Sequence, residues 1–356
     1  MNLTLTVDTV LSVELSALQL PMPPGNAKKL EAEEIRAVPS KGEAMLKSKL
    51  NKSVISMLTV ASAASVMVYG TPQHAAADPV SPTGWTTNLP IGVPLPGGLY
   101  FADTAYYMDR SGPTLAPGVS RVDAEVNLPT FLWSTPANFL GGHVEAIVVT
   151  PELAAQVGLD DGSSIGKDAI YNPVALIGEA WNLGSGFSAS EFVGTFFPVD
   201  TFFGTVGLGG NFWTFTSLTA LAYNSSDGWS LNANLTYLHS GNDISSGIHT
   251  QADTLNVDFA AVKHIDNWEL GFIGNASTDV GNSFGNNWGA HPYSQVALGG
   301  LVGHTFGSVT AELFATRSVE ARNQAPFGGY DTRVWGRIII PLWNPPAPAA
   351  PVVAKY

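Results

Sequence analysis

Long segments of alternating apolar and polar side chains dominate this chain. The stretch GWSLNANLTYLHSG (228–241) has apolar side chains at its odd positions, with Trp229 and Tyr237 near its ends. Its even positions carry hydroxyls and amides, including Asn232 and Asn234. Because successive side chains of a β-strand point to opposite faces, this pattern predicts a strand with one apolar and one polar face. Such a strand fits either a half-buried soluble sheet or the wall of a membrane barrel.

The length of these segments and the order of their connections distinguish the two possibilities. About twelve segments, mostly of about ten to thirteen residues, can be placed between residues 98 and 343. Strands of globular proteins average about five or six residues, whereas a tilted strand needs about 9–11 to cross a bilayer. The connections alternate between brief turns, such as TPA (135–137), and long stretches rich in Asn, Asp, Gly and Ser. This arrangement is typical of outer-membrane barrels. We therefore predict an all-β protein, a transmembrane antiparallel β-barrel of about 12 strands.

The polar faces of these strands are expected to line one shared interior, because a charge facing lipid costs up to a few kcal/mol near the bilayer centre. The predicted lumen-lining residues are Arg121, Asp123, Glu125, Glu145, Asn232, Asn234, Thr236, Asn256, Asp258, Glu269, Glu312, Arg333 and Arg337. Aromatic girdles mark the two interfaces of such barrels. The predicted girdle residues are Trp229, Tyr237, Trp268 and Trp343. In the second strand Pro129 predicts a β-bulge, since proline cannot complete the hydrogen-bond ladder.

A targeting signal is predicted near the start of the chain. Lysines within 47–52 precede an uncharged run at 53–70, and small residues precede Asp78. A positive region, an apolar region and a small-residue cleavage site define a signal peptide. We therefore predict a signal peptide at 45–77, cleaved near Ala77, and export to the outer membrane of a Gram-negative cell.

The remaining boundaries follow from this assignment. Residues 1–44 are interpreted as an extension from a mis-called start, and residues 78–97 as an irregular, proline-rich lead-in that could plug the lumen. The barrel is assigned to 98–343, and its last strand is expected to be the one that the barrel-assembly machinery recognises. A proline-rich tail occupies 344–356.

Composition excludes several classes of function. The chain has no Cys, which excludes disulfides and thiol catalysis. Its formal net charge of −13 argues against nucleic-acid binding. The same acidic excess would disfavour anionic solutes in a water-filled lumen. The expected partners are the lipid bilayer, the barrel-assembly machinery and a small-molecule solute, with no nucleic acid.

The sequence carries no strong catalytic or metal-binding pattern. His239 and Asp243 lie close together at a predicted strand end, yet polar residues at a loop start need no catalytic role. The stretch GLDDGSSIGKD (158–168) could offer oxygen ligands to Ca²⁺, but a solvated loop explains it as well. We expect no enzymatic activity, no catalytic residues, no cofactor and no metal.

Four segments resemble those of the family named "Putative MetA-pathway of phenol degradation". They are DTLNVDFAAVKHIDNWELGF (253–272), Asn172–Pro173, LPTFLWSTP (128–136) and FFPV (196–199). The resemblance implies an outer-membrane barrel acting as a passive channel or transporter for small, aromatic or hydrophobic compounds. It transfers no catalytic residues. Two alternatives remain open: a non-conducting structural or adhesive barrel, and a secreted soluble all-β protein.

Overall fold

The computed structural model describes residues 81–111, 119–199, 210–249, 251–281, 293–322 and 330–345. The predicted extension, signal peptide and most of the C-terminal tail lie outside the described residues. Within them, no helix is long and apolar enough to cross a membrane. The described strands are β1 (Gly98–Ser111), β2 (Val119–Phe139), β3 (Gly142–Val149), β4 (Glu152–Leu159), β5 (Ser164–Ile170), β6 (Val174–Gly184), β7 (Phe187–Phe196), β8 (Thr214–Asn224), β9 (Trp229–Ser240), β10 (Asp253–Ile265), β11 (Trp268–Gly281), β12 (Ser294–Phe306), β13 (Val309–Arg322) and β14 (Tyr330–Trp343).

Twelve of these strands form one closed antiparallel ring. Strands β1–β3 and β6–β14 follow one another around it, and β1 pairs with both β2 and β14. Closure leaves no free sheet edge in the ring, so each strand finds hydrogen-bond partners on both sides. The predicted 12-strand barrel is confirmed.

The two ends of the barrel differ in their connections. At one end, here called the short-turn rim, β6 and β7 are joined by two residues, 185–186, and β10 and β11 by 266–267. Ser185 and Asp266 adopt positive φ angles of 53°, as tight hairpin turns demand. At the opposite end, the long-loop rim, the connections are longer. The alternation expected from the sequence is therefore present.

A hairpin formed by β4 and β5 was not expected, because the sequence pattern left residues 151–170 as a loop. Strand β2 is long enough to serve two partners along one edge: its 130–139 part pairs with β3, and its 119–127 part pairs with β4. β4 then pairs with β5. The hairpin thus extends the barrel wall toward the long-loop rim.

Three prolines lie near the level at which β2 changes its partner from β3 to β4. The carbonyl oxygens of Pro129, Pro151 and Pro173 accept hydrogen bonds at 3.1, 2.8 and 2.8 Å from the backbone N–H groups of the residues that directly follow β3, β5 and β7. Proline has no N–H to return such a bond, so the ladder is interrupted at this row. The expected bulge at Pro129 is not at that residue. The β2–β3 register shifts instead between Ser134 and Asn138, nearer the short-turn rim.

The interior of the barrel is packed rather than open. Inward-facing apolar side chains of the strands form one core with Trp85, Leu89 and Ile91, which precede β1. At its centre the rings of Phe314 and Trp335 stack with centroids 5.3 Å apart. Close-packed aromatic pairs of this kind contribute beyond their buried area. Residues preceding β1 therefore occupy the space that a water-filled pore would need.

Candidate functional site

Residues 81–97, here called the plug segment, lie inside the barrel as a series of turns. Backbone N–H groups of Trp85, Thr87 and Leu89 each bond to the carbonyl three residues earlier, at 3.0–3.3 Å. Gly84 has a φ of +96°, which side chains rarely tolerate. A Cβ built on it would lie 3.0 Å from Trp335. Glycine thus permits both the turn and its close approach to the wall.

One buried carboxylate holds the first turn of the plug segment. Asp258 on β10 accepts hydrogen bonds from the N–H of Gly84 (2.9 Å), the N–H of Thr86 (3.0 Å) and the Thr86 hydroxyl (2.6 Å). On the adjacent strand, the amide of Asn234 donates to the Thr86 carbonyl at 2.8 Å. Donor and acceptor groups of one turn are therefore satisfied by side chains of two strands.

Two buried arginines of β14 bind alternate carbonyls of the same segment. Arg333 donates to the carbonyl of Thr83 at 2.8 Å. Arg337 donates to the carbonyls of Trp85 and Thr87. Hydrogen bonds from a charged donor are stronger than neutral ones, and the guanidinium offers five donors in a rigid fork. Arg337 also forms an ion pair with Glu312 at 3.0 Å.

Further contacts extend along the plug segment. Asn88 donates to Glu312 at 2.8 Å and accepts from Asn232 at 3.2 Å. Nearer β1, the N–H of Leu95 donates to Glu145 at 3.0 Å. Strand side chains thus contact the segment from its beginning to its end.

Most of the predicted lumen residues lie on the inward face. Those that bond directly to the plug segment are Glu145, Asn232, Asn234, Asn256, Asp258, Glu269, Glu312, Arg333 and Arg337. Thr236, also buried, shares their face. Sequence reasoning did not find their partners in the plug segment. Most of these partners are backbone groups within residues 81–95, which carry no side-chain signature, and the others are the side chains of Thr86 and Asn88.

The expectation for Arg121, Asp123 and Glu125 is wrong. The alternate residues of β2, beginning with Val122, line an interior cavity together with plug residues, so these three side chains face outward. Arg121 pairs with Asp123 at 2.6 Å on that outer face. The apolar side chains point inward because the plug segment gives them an apolar surface to pack against.

The predicted girdle residues lie at the two rims. Trp229, Trp268 and Trp343 are at the short-turn rim, with exposed fractions of 40%, 52% and 57%. Tyr237 lies toward the long-loop rim, and its hydroxyl donates to Asp253 at 2.8 Å. Trp133, which was not predicted, is also exposed near the short-turn rim.

The catalytic candidate at His239 and Asp243 and the Ca²⁺ candidate at 158–168 both include a turn of the structure. Asp243 accepts hydrogen bonds from the backbone of Ser245 and Ser246, and the His239 ring contacts Asp253 rather than a serine. In the turn between β4 and β5, hydrogen bonds from Ser163 lower the pKa of Asp161 below its ordinary value. No group of three potential metal ligands is found among the described residues.

A closed antiparallel barrel with short turns at one end, longer connections at the other and its own chain in the lumen has the architecture of the outer-membrane barrel class. The sequence model of the family "Putative MetA-pathway of phenol degradation" matches residues 108–334. The chain belongs to this family. No curated protein matches its sequence.

Several solved structures resemble the fold. The COG4313 outer membrane channel from Pseudomonas putida F1 has a TM-score of 0.60 at 12% identity, covering 71% of this chain and 99% of that one. A Pseudomonas aeruginosa FadL homologue has a TM-score of 0.43 at 10% identity, covering 77% and 99%. The Pseudomonas putida toluene transporter TodX has a TM-score of 0.38 at 8% identity, covering 76% and 97%. The first of these similarities shows a shared fold.

Proposed function

We propose that this protein is an outer-membrane barrel that acts as a passive channel for small, aromatic or hydrophobic compounds. The observation that carries the proposal is the way the lumen is filled. The plug segment is bound by side chains, and no backbone ladder among the described strands includes residues 81–97. It can therefore move without any strand of the ring losing its partners.

The apolar outer surface of the ring supports insertion of the barrel in a lipid bilayer. Large apolar side chains are exposed around the ring, including Leu221 (57%), Phe272 (52%), Leu313 (57%) and Ile338 (47%). Burying apolar surface is worth about 25 cal/mol per Å², and soluble proteins rarely expose large continuous apolar patches. Lipid tails would cover this surface, which disfavours the secreted soluble alternative.

The family and the fold support the solute class. The family name refers to phenol degradation, and the COG4313 protein with the same fold is named an outer membrane channel. A narrow, partly apolar interior suits a small hydrophobic solute better than a large polar one. The proposed role is transport without chemical change, so no catalytic residue is assigned.

Export and assembly complete the proposal. Residues 45–77 would act as a signal peptide cleaved near Ala77, and residues 1–44 would be absent from the protein made in the cell. The barrel-assembly machinery would insert the ring, with β14 as its final strand. The mass of the precursor tests the start of the chain, and the N-terminal sequence of the purified protein tests the cleavage. A precursor beginning at Met45 and a mature N-terminus at Asp78 are expected, and a precursor retaining 1–44 would contradict the assignment.

Flux through the reconstituted barrel tests the function. Purified protein that migrates faster on gels before boiling than after it contains a closed barrel. Such protein in liposomes should speed the passage of phenol relative to empty liposomes, and deletion of residues 81–97 should speed it further. If neither the full barrel nor the deletion increases passage, the non-conducting structural or adhesive alternative is correct.

A further inference from the structure

The plug segment runs through the lumen in one direction, from the long-loop half to the short-turn rim. At its beginning, the carbonyl of Ser81 accepts a hydrogen bond from Asn256, the fourth residue of β10 counted from the long-loop rim. Near its end, the N–H of Leu95 donates to Glu145, the fourth residue of β3 counted from the short-turn rim. The chain then enters β1 at Gly98. The beginning of the segment therefore lies in the half of the lumen that the longer connections surround.

The end of the plug segment is fastened to the wall. Leu95 uses both of its backbone groups: its N–H donates to Glu145 at 3.0 Å, and its carbonyl accepts from the hydroxyl of Ser134 at 2.9 Å. The hydroxyl of Tyr100, on β1, donates to the carbonyl of Pro96 at 2.7 Å. β1 itself pairs along its length with β2 and β14. Displacing this end would therefore break several hydrogen bonds and pull on a strand of the ring.

The beginning of the plug segment is held less firmly. In the described part of the chain, Ser81 bonds to the wall only through Asn256, at 3.4 Å, which is longer than the ordinary range of about 2.7–3.2 Å. The Ser81 hydroxyl has no hydrogen-bond partner among the described residues. The first bond from a charged group is that of Arg333 to the Thr83 carbonyl, and the next turn of the segment receives the three bonds of Asp258. Hydrogen bonding to the wall thus increases along the segment from Ser81.

The packing of the plug segment differs along its length in the same sense. A cavity of about 90 Å³ lies against Pro82 and Thr83. Atoms that line a void lose the van der Waals contacts that a packed neighbour would supply. Trp85, Leu89 and Ile91, further along the segment, belong to the hydrophobic core of the barrel. The beginning of the segment therefore has weaker packing as well as weaker hydrogen bonding.

We propose that the plug segment opens by peeling from Ser81 toward Leu95, with residues 95–97 as its hinge. Local opening of a protein begins where buried contacts and hydrogen bonds are fewest. The short turns of outer-membrane barrels face the periplasm, so peeling would begin on the side from which a solute outside the cell arrives. The inference deepens the proposed channel function and rests on it, because cleavage near Ala77 would place Ser81 close to the free N-terminus.

Thiol labelling of single-cysteine variants tests the proposal. The chain has no Cys, so each introduced thiol is the only one present. Ser81→Cys and Thr87→Cys form a matched pair, because the native residues are 0% and 1% exposed and neither hydroxyl has a hydrogen-bond partner among the described residues. In the detergent-solubilised, heat-modifiable barrel, N-ethylmaleimide should label Ser81→Cys at least about ten-fold faster than Thr87→Cys. Exposing Thr87 also requires loss of the charge-assisted bonds to the turn before it, and one such bond corresponds to about ten-fold or more.

Two further variants sharpen the comparison. Ile91→Cys, at a native residue that is 3% exposed and nearer the hinge, should be labelled most slowly. If Thr87→Cys or Ile91→Cys forms no barrel, the other still supplies the comparison with Ser81→Cys. All three variants should react at similar rates once they are unfolded in denaturant. Adding Asp258→Ala should speed the labelling of Thr87→Cys and change that of Ser81→Cys little, since release of Ser81 breaks no bond to Asp258.

The order of the labelling rates decides the outcome. Equal rates in the native barrel would show that the segment leaves as a unit, and labelling faster at Ile91→Cys than at Ser81→Cys would place the mobile end at the short-turn rim. Either result overturns the inference. Labelling is measured without passage, so graded labelling in a barrel that conducts nothing contradicts only the channel proposal. A barrel that conducts phenol but is labelled equally at these positions contradicts only this inference.

Discussion

Asp258→Ala is the substitution expected to loosen the plug segment most directly. The carboxylate of Asp258 accepts three hydrogen bonds from Gly84 and Thr86, and the residue is only 3% exposed. Alanine accepts none of them. The two backbone N–H groups would then be left without their acceptor unless water entered or the turn moved away from the wall.

The magnitude follows from opposing contributions. A hydrogen bond to a charged group contributes a net of about 1.5–3 kcal/mol, and three are lost. Removing the buried carboxylate also removes its desolvation penalty, which is several kcal/mol. The difference leaves a destabilisation of the docked plug segment of about 3 kcal/mol. Since about 1.4 kcal/mol changes an equilibrium ten-fold, the undocked population should rise roughly 150-fold.

Single-channel recording in planar bilayers measures this change as more frequent openings. The matched control is Asp123→Ala, which removes a carboxylate that bonds to Tyr107 and Arg121 on the outer face. It should leave the opening frequency unchanged. If Asp258→Ala forms a heat-modifiable barrel and opens no more often than the unmodified protein, the hydrogen bonds to Asp258 do not hold the plug segment.

Three further predictions concern the same interior and its wall. Gly84→Ala places a methyl group 3.0 Å from Trp335 in a positive-φ turn, so it should expose residues 81–97 to added protease at a destabilisation of about 1 kcal/mol or more; unchanged protection would contradict the turn. Leu235→Arg on the outer face should reduce the folded fraction on unboiled gels, at a cost of about 2–4 kcal/mol near the bilayer centre. Asn234→Arg should preserve assembly but raise conductance by displacing Thr86, and equal assembly defects in the two variants would refute the assigned faces. Trp335→Ala should destabilise the barrel by about 3–5 kcal/mol in urea unfolding, and a loss below 1 kcal/mol would show that its stacking on Phe314 contributes little.

The sequence predicted the ring well because long alternation leaves few alternatives. In β9 the apolar face carries Trp229 and Tyr237 at opposite ends, and Asn232 and Asn234 lie on the inward face as expected. β2 has equally clear alternation, yet its faces are reversed. Period two shows that two faces differ but does not show which one points inward when the interior contains an apolar segment of the same chain.

Two other features left no usable pattern. The residues of β4, ELAAQVGL (152–159), alternate too weakly to predict a strand, and their pairing depends on β2 offering a second length of edge. In the plug segment, the hydrogen-bond acceptors of Arg333 and Arg337 are backbone carbonyls, which every residue possesses. Only the folded position of the plug segment identifies them.

The positions of these two arginines along the chain have a consequence for assembly. The plug segment directly precedes β1, whereas Arg333 and Arg337 belong to β14, the last of the described strands along the chain. These contacts therefore join groups separated by 250 or more residues, and they form only once the first and last strands meet. Occlusion of the lumen is thereby made dependent on completion of the ring. In a partly assembled barrel the plug segment lacks its hydrogen bonds to Arg333 and Arg337. The bonds that hold the plug segment in the lumen are therefore present only after the ring has closed.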